Sequence, residues 1–208
     1  MQITILYQDQ DITVIEKPAG LIVNRSSTVT EPTLQDWFME QEQIAKQNNS
    51  AVWQALVPAD FQTSYGSPAE IFTERGGIVH RLDKETSGVM VLANNPGALV
   101  ELLRQFRTRE IHKMYTCLTH GKFQILADTL RLPLGRSGLN RTKFTIDASG
   151  RIAETQYQVR QFYSQLNVEQ VAKDVSQNSP SLPEKNLRKK LLKAYQGFSL
   201  VECRPKTG

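Results

Sequence analysis

The chain has 208 residues, of which 39% are hydrophobic and 8% aromatic, enough to bury the core of one large domain or two small ones. No apolar run approaches the roughly 18 residues of a membrane-spanning helix, and the N-terminus lacks the basic and apolar regions of a signal peptide. The net charge of +4 is compatible with an RNA partner, and equally with an ordinary basic soluble protein.

The cysteine and histidine content argues against a metal protein. Cys117 and Cys203 are far apart in the sequence and form no C-x-x-C pair, so neither a metal knuckle nor a disulfide framework is predicted. The three histidines, His80, His112 and His120, lack the spacing of a zinc site. We therefore expect no metal and a reduced, cytoplasmic location.

The N-terminal part predicts a hairpin followed by a helix. Residues 3–7 and 12–15 are β-branched runs on either side of a polar turn. Lys-Pro-Ala-Gly at 17–20 ends the second strand, because proline cannot donate a hydrogen bond and glycine allows positive φ, and residues 21–23 predict a short strand. Thr33 is the predicted N-cap of a helix that reaches about Lys46, with apolar residues at helical spacing.

The remaining elements alternate between predicted insertions and short strands. Residues 47–76 are polar and rich in Asn, Ser, Gly and Pro, which is typical of a long surface insertion. A buried strand is predicted at 88–93, and a helix from Pro96, suited to a first helical turn, to about Phe106. Further strands are predicted at 114–118, 143–146, 155–162 and 198–203.

A second insertion is predicted at 163–196. Its lysines and arginines between 185 and 193 form either a solvated face or a surface that contacts RNA. The strands and helices show no regular βαβ alternation, so the pattern predicts an α+β fold.

The sequence HRLDKETSG at residues 80–88, followed directly by an apolar strand, is the most reactive segment of the chain. Asp83 lies at its centre, and we expect Arg81 or Lys84 to keep its carboxylate ionised. An ionised carboxylate can act as a nucleophile or a general base, and such clusters beside core strands are often functional sites. The alternative is a turn held by a surface ion pair, which contributes little energy.

Two other interpretations of this segment have less support. Asp83 and Glu85 could resemble a glycosidase acid and base pair, but their spacing does not favour it. His80 is expected to cap the turn or to pack under the site, because neutral histidine is a common structural hydrogen-bonding group. A direct chemical role for His80 is less favoured.

The motif H-R-L-D-x-x-T-S-G resembles the signature of the RluA-type RNA pseudouridine synthases. Four further segments resemble this family in order and spacing: KPAG at 17–20 after the hairpin, REIHKMY at 109–115, PLGR at 133–136 with NRTK at 140–143, and RPKTG at 204–208. A single match would be modest, whereas five in the same order are specific.

The resemblance implies a pseudouridine synthase catalytic domain over residues 1–208. Its fold is a mixed, mainly antiparallel sheet with flanking helices, here interrupted by insertions at about 47–76 and 163–196. The family isomerises a uridine flipped out of ribosomal or transfer RNA, without a cofactor. Asp83 would be the nucleophile and Tyr115 would stack on the target base. RNA contacts are implied for Arg81 and, as weaker candidates, for His80, Lys113, Arg136, Asn140 and Arg141.

The family pattern continues after R-P-x-T-G with an R-T-H-Q-I-R-like stretch, whose arginine pairs with the catalytic aspartate, and the sequence stops at Gly208. We therefore expect a chain incomplete at its C-terminus, with exposed apolar surface. It is expected to be monomeric, and weakly active or inactive where the full-length protein is active. The alternative function is a non-catalytic RNA-binding module that retains the fold.

Overall fold

The computed structural model describes residues 3–40, 51–58, 61, 66–138, 143–164 and 197–207. The chain forms two compact units, Met1–Glu110 and Ile111–Gly208. The predicted helix end at 41–46, the sites Asn140 and Arg141, and nearly all of the predicted insertion at 163–196 lie outside the described residues. That residues 1–208 form one catalytic domain stays a prediction.

The first unit contains a three-stranded antiparallel sheet in the order β1-β2-β3, formed by Thr4–Gln8, Ile12–Lys17 and Gly88–Ala93. The predicted hairpin and buried strand are confirmed. The Asp9 carboxylate closes the hairpin turn, since it accepts the N–H groups of Asp11 at 2.8 Å and Ile12 at 2.7 Å. β2 supplies buried Ile15 to the core.

Helix α1, Leu34–Glu40, begins where Thr33 was predicted as its cap. The Thr33 hydroxyl accepts the Asp36 N–H at 3.1 Å, and the Asp36 carboxylate accepts the Thr33 N–H at 2.7 Å, which is a reciprocal capping arrangement. The predicted strand at 21–23 is wrong. The carbonyls of Ile22 and Val23 instead accept the first N–H groups of α1, at 2.8 and 3.0 Å, so they satisfy a helix end rather than a sheet.

Part of the predicted insertion at 47–76 is helical. A 3₁₀ helix spans Ala51–Leu56, and helix α2 spans Pro68–Arg75. Ser67 and Glu70 form a capping box that starts α2, which buries Ile71 and Phe72. The Ser-x-x-Glu sequence was a signal for this helix, and the surrounding polar residues obscured it.

Helix α3 spans Pro96–Arg107, as predicted within one residue. Asn95 caps it by accepting the Ala98 N–H at 2.9 Å, and Pro96 occupies the first turn. Its buried residues include Leu99 and Val100. This helix completes the core of the first unit.

The second unit contains a five-stranded antiparallel sheet in the order β4-β8-β7-β5-β6. The strands are β4 Tyr115–His120, β5 Ala127–Arg136, β6 Phe144–Ile146, β7 Arg151–Tyr163 and β8 Phe198–Pro205. The predicted strands near 114–118, 143–146, 155–162 and 198–203 are confirmed. Strands alternate their side chains, so one face carries Leu130, Leu132 and Leu134, and the other carries Glu202 and Arg204.

Strand β5 was not predicted, because Pro133 interrupts an otherwise alternating leucine pattern. The structure shows why proline is tolerated. The Pro133 carbonyl points toward β6 and accepts the Asp147 N–H at 3.1 Å. The β6 ladder ends at Leu134 opposite Ile146, so no strand on that side requires an N–H from Pro133.

Candidate active site

The Asp83 loop, residues 80–87, connects the core of the first unit to β3. Leu82 is buried at 8% exposure, whereas Arg81 and Asp83 on either side of it are exposed. A turn is closed by the Thr86 N–H, which donates to the Asp83 carbonyl at 3.1 Å. The buried leucine anchors the loop, so the Asp83 carboxylate faces solvent from a fixed backbone.

A buried lysine fastens this loop to the Lys-Pro-Ala-Gly turn. The Lys17 side chain is fully buried, and its Nζ donates to the carbonyls of Pro18 at 3.0 Å, Leu21 at 2.8 Å and Lys84 at 3.2 Å. Three carbonyls match the three N–H donors of an ammonium group. The Gly20 N–H also donates to the Lys84 carbonyl at 2.8 Å, so the turn and the loop share one junction.

The charge of Lys17 is coupled to the candidate nucleophile. Burial lowers the pKa of Lys17, and the negative charges of Glu85 and Asp83 oppose that shift. The sequence singled out KPAG as a motif but gave no role to its lysine. A fully buried lysine is rare unless its ammonium group is paired, and only the tertiary structure brings these partners together.

Lys84, one of the two cations expected to keep Asp83 ionised, forms an exposed ion pair with Glu31 at 3.2 Å. Within the described residues, Asp83 forms no salt bridge with Arg81 or Lys84. The alternative interpretation, a turn held by a surface ion pair of Asp83, is therefore not supported. That Arg81 or Lys84 keeps the Asp83 carboxylate ionised stays a prediction.

His80 lies under the loop, half-buried. Its Nε2 accepts the backbone N–H of Val91 at 3.2 Å, and its ring stacks on Phe106 with centroids 4.8 Å apart. An acceptor Nε2 requires the proton on Nδ1. These contacts support the packing role expected for His80 over contact with RNA.

Three candidate residues belong to the second unit. Tyr115 begins β4 and is half-buried, and Lys113 lies two residues before it, also half-buried. Arg136 ends β5, where it is exposed and its guanidinium lies 4.3 Å from the centroid of the Phe144 ring, a cation–π distance. Asp83 belongs to the first unit.

The Arg-Pro-Lys-Thr-Gly segment is held on the sheet of the second unit. Arg204 pairs with Glu202 at 2.5 Å, and Arg160 pairs with the same carboxylate at 2.5 Å. The Thr207 hydroxyl accepts the Glu154 N–H at 2.8 Å. A carboxylate shared by two guanidinium groups fixes this end of β8.

Within the described ranges, no group of three or more His, Cys, Asp or Glu side chains could hold a metal ion. Among the same residues, no helix has the length and apolar character needed to cross a bilayer.

The family model for RNA pseudouridylate synthase matches residues 11–208. The chain therefore belongs to the RNA pseudouridylate synthase family, and its resemblance to the RluA type is confirmed. Among curated relatives, an uncharacterized RNA pseudouridine synthase of Aquifex aeolicus is 36% identical over 80% of this chain and 46% of its own length. The ribosomal large subunit pseudouridine synthase D of Pseudomonas aeruginosa is 30% identical over 76% of this chain and 42% of its own.

An uncharacterized RNA pseudouridine synthase of Bacillus subtilis matches all of this chain at 26% identity and 51% of its own length. The chain thus spans about half the length of the curated relatives it matches.

Two solved structures share the fold. Human RNA pseudouridylate synthase domain containing 4 matches with a TM-score of 0.54 and 22% identity, over 99% of this chain and 59% of the other. Human RNA pseudouridylate synthase domain containing 1 matches with a TM-score of 0.58 and 18% identity, over 100% and 60%. These matches confirm the predicted α+β pseudouridine synthase fold.

Proposed function

We propose that this protein isomerises uridine to pseudouridine in RNA, with Asp83 as the nucleophile. The observation that carries the proposal is the exposed Asp83 carboxylate, centred in the family motif on a loop that buried Leu82 and Lys17 hold in place. A nucleophile on a fixed backbone needs no reorganisation before it attacks. The family membership supplies the reaction class.

The chemistry conserves the atoms of the substrate. The target uridine leaves the RNA stack, at a cost of a few kcal/mol. The Asp83 carboxylate attacks it and forms a covalent bond, which breaks again before the product leaves and so restores the free carboxylate. The N1–C1′ bond breaks, the base turns, and a C5–C1′ bond forms. The C5 proton is released to solvent and N1 regains a proton. No electrons are gained or lost, so the reaction requires no redox cofactor.

The other candidate residues have supporting roles in this proposal. Tyr115 stacks on the extruded base, since an aromatic face holds any unstacked base. Arg81 and Arg136 are exposed cations suited to phosphate. Lys113, and the residues Asn140 and Arg141 outside the described part, complete the proposed RNA contacts.

Ribosomal RNA is the first substrate to test, because relatives about 30% identical carry the name ribosomal large subunit pseudouridine synthase D. Transfer RNA is the second. We further propose a cytoplasmic monomer, and light scattering of the purified protein would measure its mass in solution.

The decisive experiment compares Asp83→Asn with wild type by the release of tritium from C5-labelled uridine in RNA. Turnover should fall by at least about 10³-fold, because the nucleophile is removed. RNA binding, followed by fluorescence anisotropy, should change little. The 208-residue chain should be assayed beside any longer protein that its reading frame encodes.

Glu85→Gln is the matched control. Glu85 is an exposed carboxylate in the same turn, and its charge also acts on Lys17. This variant loses the same charge but should retain turnover. Normal turnover by Asp83→Asn would exclude the assigned nucleophile. RNA binding without tritium release by the complete wild-type protein would favour a non-catalytic RNA-binding module.

A further inference from the structure

The two cysteines of the chain lie side by side in the second unit, although 86 positions separate them, and their Sγ atoms are 3.9 Å apart. Cys117 belongs to β4 and Cys203 to β8, which pair directly in the sheet. Their distance in the sequence gave no sign of this proximity. Antiparallel pairing brings remote segments together, and both thiols are free.

Strand register explains how the thiols meet. Cys117 lies opposite Val201, and Cys203 lies opposite Tyr115, so the cysteines are diagonal neighbours on one face of the sheet. Diagonal positions are within reach of each other's side chains. A disulfide has sulfur atoms about 2.05 Å apart, so each sulfur would have to move by roughly 1 Å for the bond to form.

The two thiols differ in accessibility. Cys117 is exposed and Cys203 is partly buried. Burial, with a hydrogen bond to Cys117, raises the pKa of Cys203 to about 11, and the negative charge of Glu202 contributes to the shift. Tyr115 on β4 and Tyr157 on β7 are opposite Cys203 in the two ladders. A small oxidant can therefore reach Cys117 first, while Cys203 retains its proton.

We propose that Cys117 and Cys203 form a reversible intramolecular disulfide, as a thiol modification site on this sheet that takes low-molecular-weight disulfides as its oxidant. The Cys117 thiolate attacks the reagent disulfide, and one reagent thiol leaves. The Cys203 thiolate then attacks the Cys117 sulfur of the mixed disulfide, and the second reagent thiol leaves. Both protein thiols are oxidised, the reagent is reduced to two thiols, and the two protons lost by the cysteines are taken up by the two reagent thiolates.

The test treats the folded 208-residue chain with glutathione disulfide and maps the products by mass spectrometry without reduction. The expected product is a monomer lighter by two hydrogen atoms. Trypsin should release residues 114–122 joined to residues 194–206, since the bond between Arg204 and Pro205 resists cleavage. Dithiothreitol should restore the two separate peptides.

Serine variants separate the two steps. Cys203→Ser should accumulate a glutathione adduct on Cys117, whereas Cys117→Ser should give no internal disulfide. In wild type, ring closure should accelerate about tenfold per pH unit between about pH 7 and pH 9, as the thiolate fraction of Cys203 grows.

If a variant fails to fold, the peptide map of the wild-type protein is sufficient to test the proposal. Two thiols that stay free, a stable adduct on wild-type Cys117 that never closes, or disulfides formed only between chains would each overturn the proposal.

Discussion

The buried Lys17 ammonium gives a stringent test of how the Asp83 loop is held. Lys17→Met keeps the length of the side chain and removes its hydrogen-bond donors. In the folded protein these donors reach the carbonyls of Pro18, Leu21 and Lys84. We expect Lys17→Met to weaken the first unit and to release the junction between the KPAG turn and the Asp83 loop.

The magnitude follows from the acceptors that lose a partner. The Lys84 carbonyl keeps the Gly20 N–H as a donor, and Pro18 is exposed, so water can replace the donor to its carbonyl. The loss therefore falls mainly on the buried Leu21 carbonyl. A buried acceptor without a donor costs about 1–3 kcal/mol. The net decrease in the free energy of unfolding should be about 1–3 kcal/mol, because the desolvation that methionine avoids offsets the smaller loss at Pro18.

Tryptophan fluorescence during urea unfolding reports on the first unit, which contains Lys17. The two tryptophans of the chain, Trp37 and Trp53, both lie in the unit Met1–Glu110. At an m-value of roughly 2 kcal/mol per molar urea, a loss of about 1–3 kcal/mol should lower the midpoint by about 0.5–1.5 M.

Lys84→Met is the matched control, because it removes a lysine whose side chain is 46% exposed and whose partner is Glu31 at the surface. Exposed pairs contribute about 0–1 kcal/mol, so the midpoint should shift by less than about 0.5 M. Equal shifts for Lys17→Met and Lys84→Met, or a more stable Lys17→Met, would refute the assigned role of Lys17.

Two further predictions concern the first unit. Gly97→Ala should lower the thermal midpoint of this unit, because a Cβ at position 97 would lie 2.2 Å from the Trp53 carbonyl oxygen. Such overpacking costs about 1–3 kcal/mol. A higher midpoint, which is the usual result of replacing glycine by alanine in a helix, would contradict the packing of the 3₁₀ helix on α3. Acid should also weaken this unit through Asp36, because hydrogen bonds from Thr33 and then Arg25 lower the pKa of Asp36 to about 2. That stabilisation is present above the unfolded pKa of 3.8 and is lost as the pH falls toward about 2. Asp36→Asn should flatten the dependence of the urea midpoint on pH in this range. An unchanged slope would contradict the stabilising role assigned to the Asp36 carboxylate.

Local signals in the sequence predicted several elements well. The predicted bounds of β3 at 88–93 match the strand Gly88–Ala93, because an apolar run follows a polar turn. The helix beginning at Pro96 and its cap follow from residue chemistry that acts within one turn. Two elements were missed. Helix α2 was missed because its capping signal lies among polar residues that predicted a loop. Strand β5 was missed because Pro133 interrupts its alternating leucines.

The candidate site also contains both features that the sequence predicted and features that it did not. Asp83 and Tyr115 were predicted from motifs, and they remain the proposed catalytic residues. The ion pair of Lys84 with Glu31 was not predicted, because proximity in the sequence does not fix side-chain direction in a turn. Lys17 contacts the loop through the carbonyl of Lys84, which lies 67 positions away in the sequence. No local sequence pattern indicates such a contact.

By itself, the sequence determined the family, the α+β class, most strands and helices, and the position of the candidate nucleophile, because these depend on motifs and on short-range periodicity. Only the tertiary structure decided which carbonyls surround the buried Lys17 ammonium and that Cys117 lies 3.9 Å from Cys203. Both arrangements depend on antiparallel register and burial between segments remote in the chain, which are set by the packing of the whole unit.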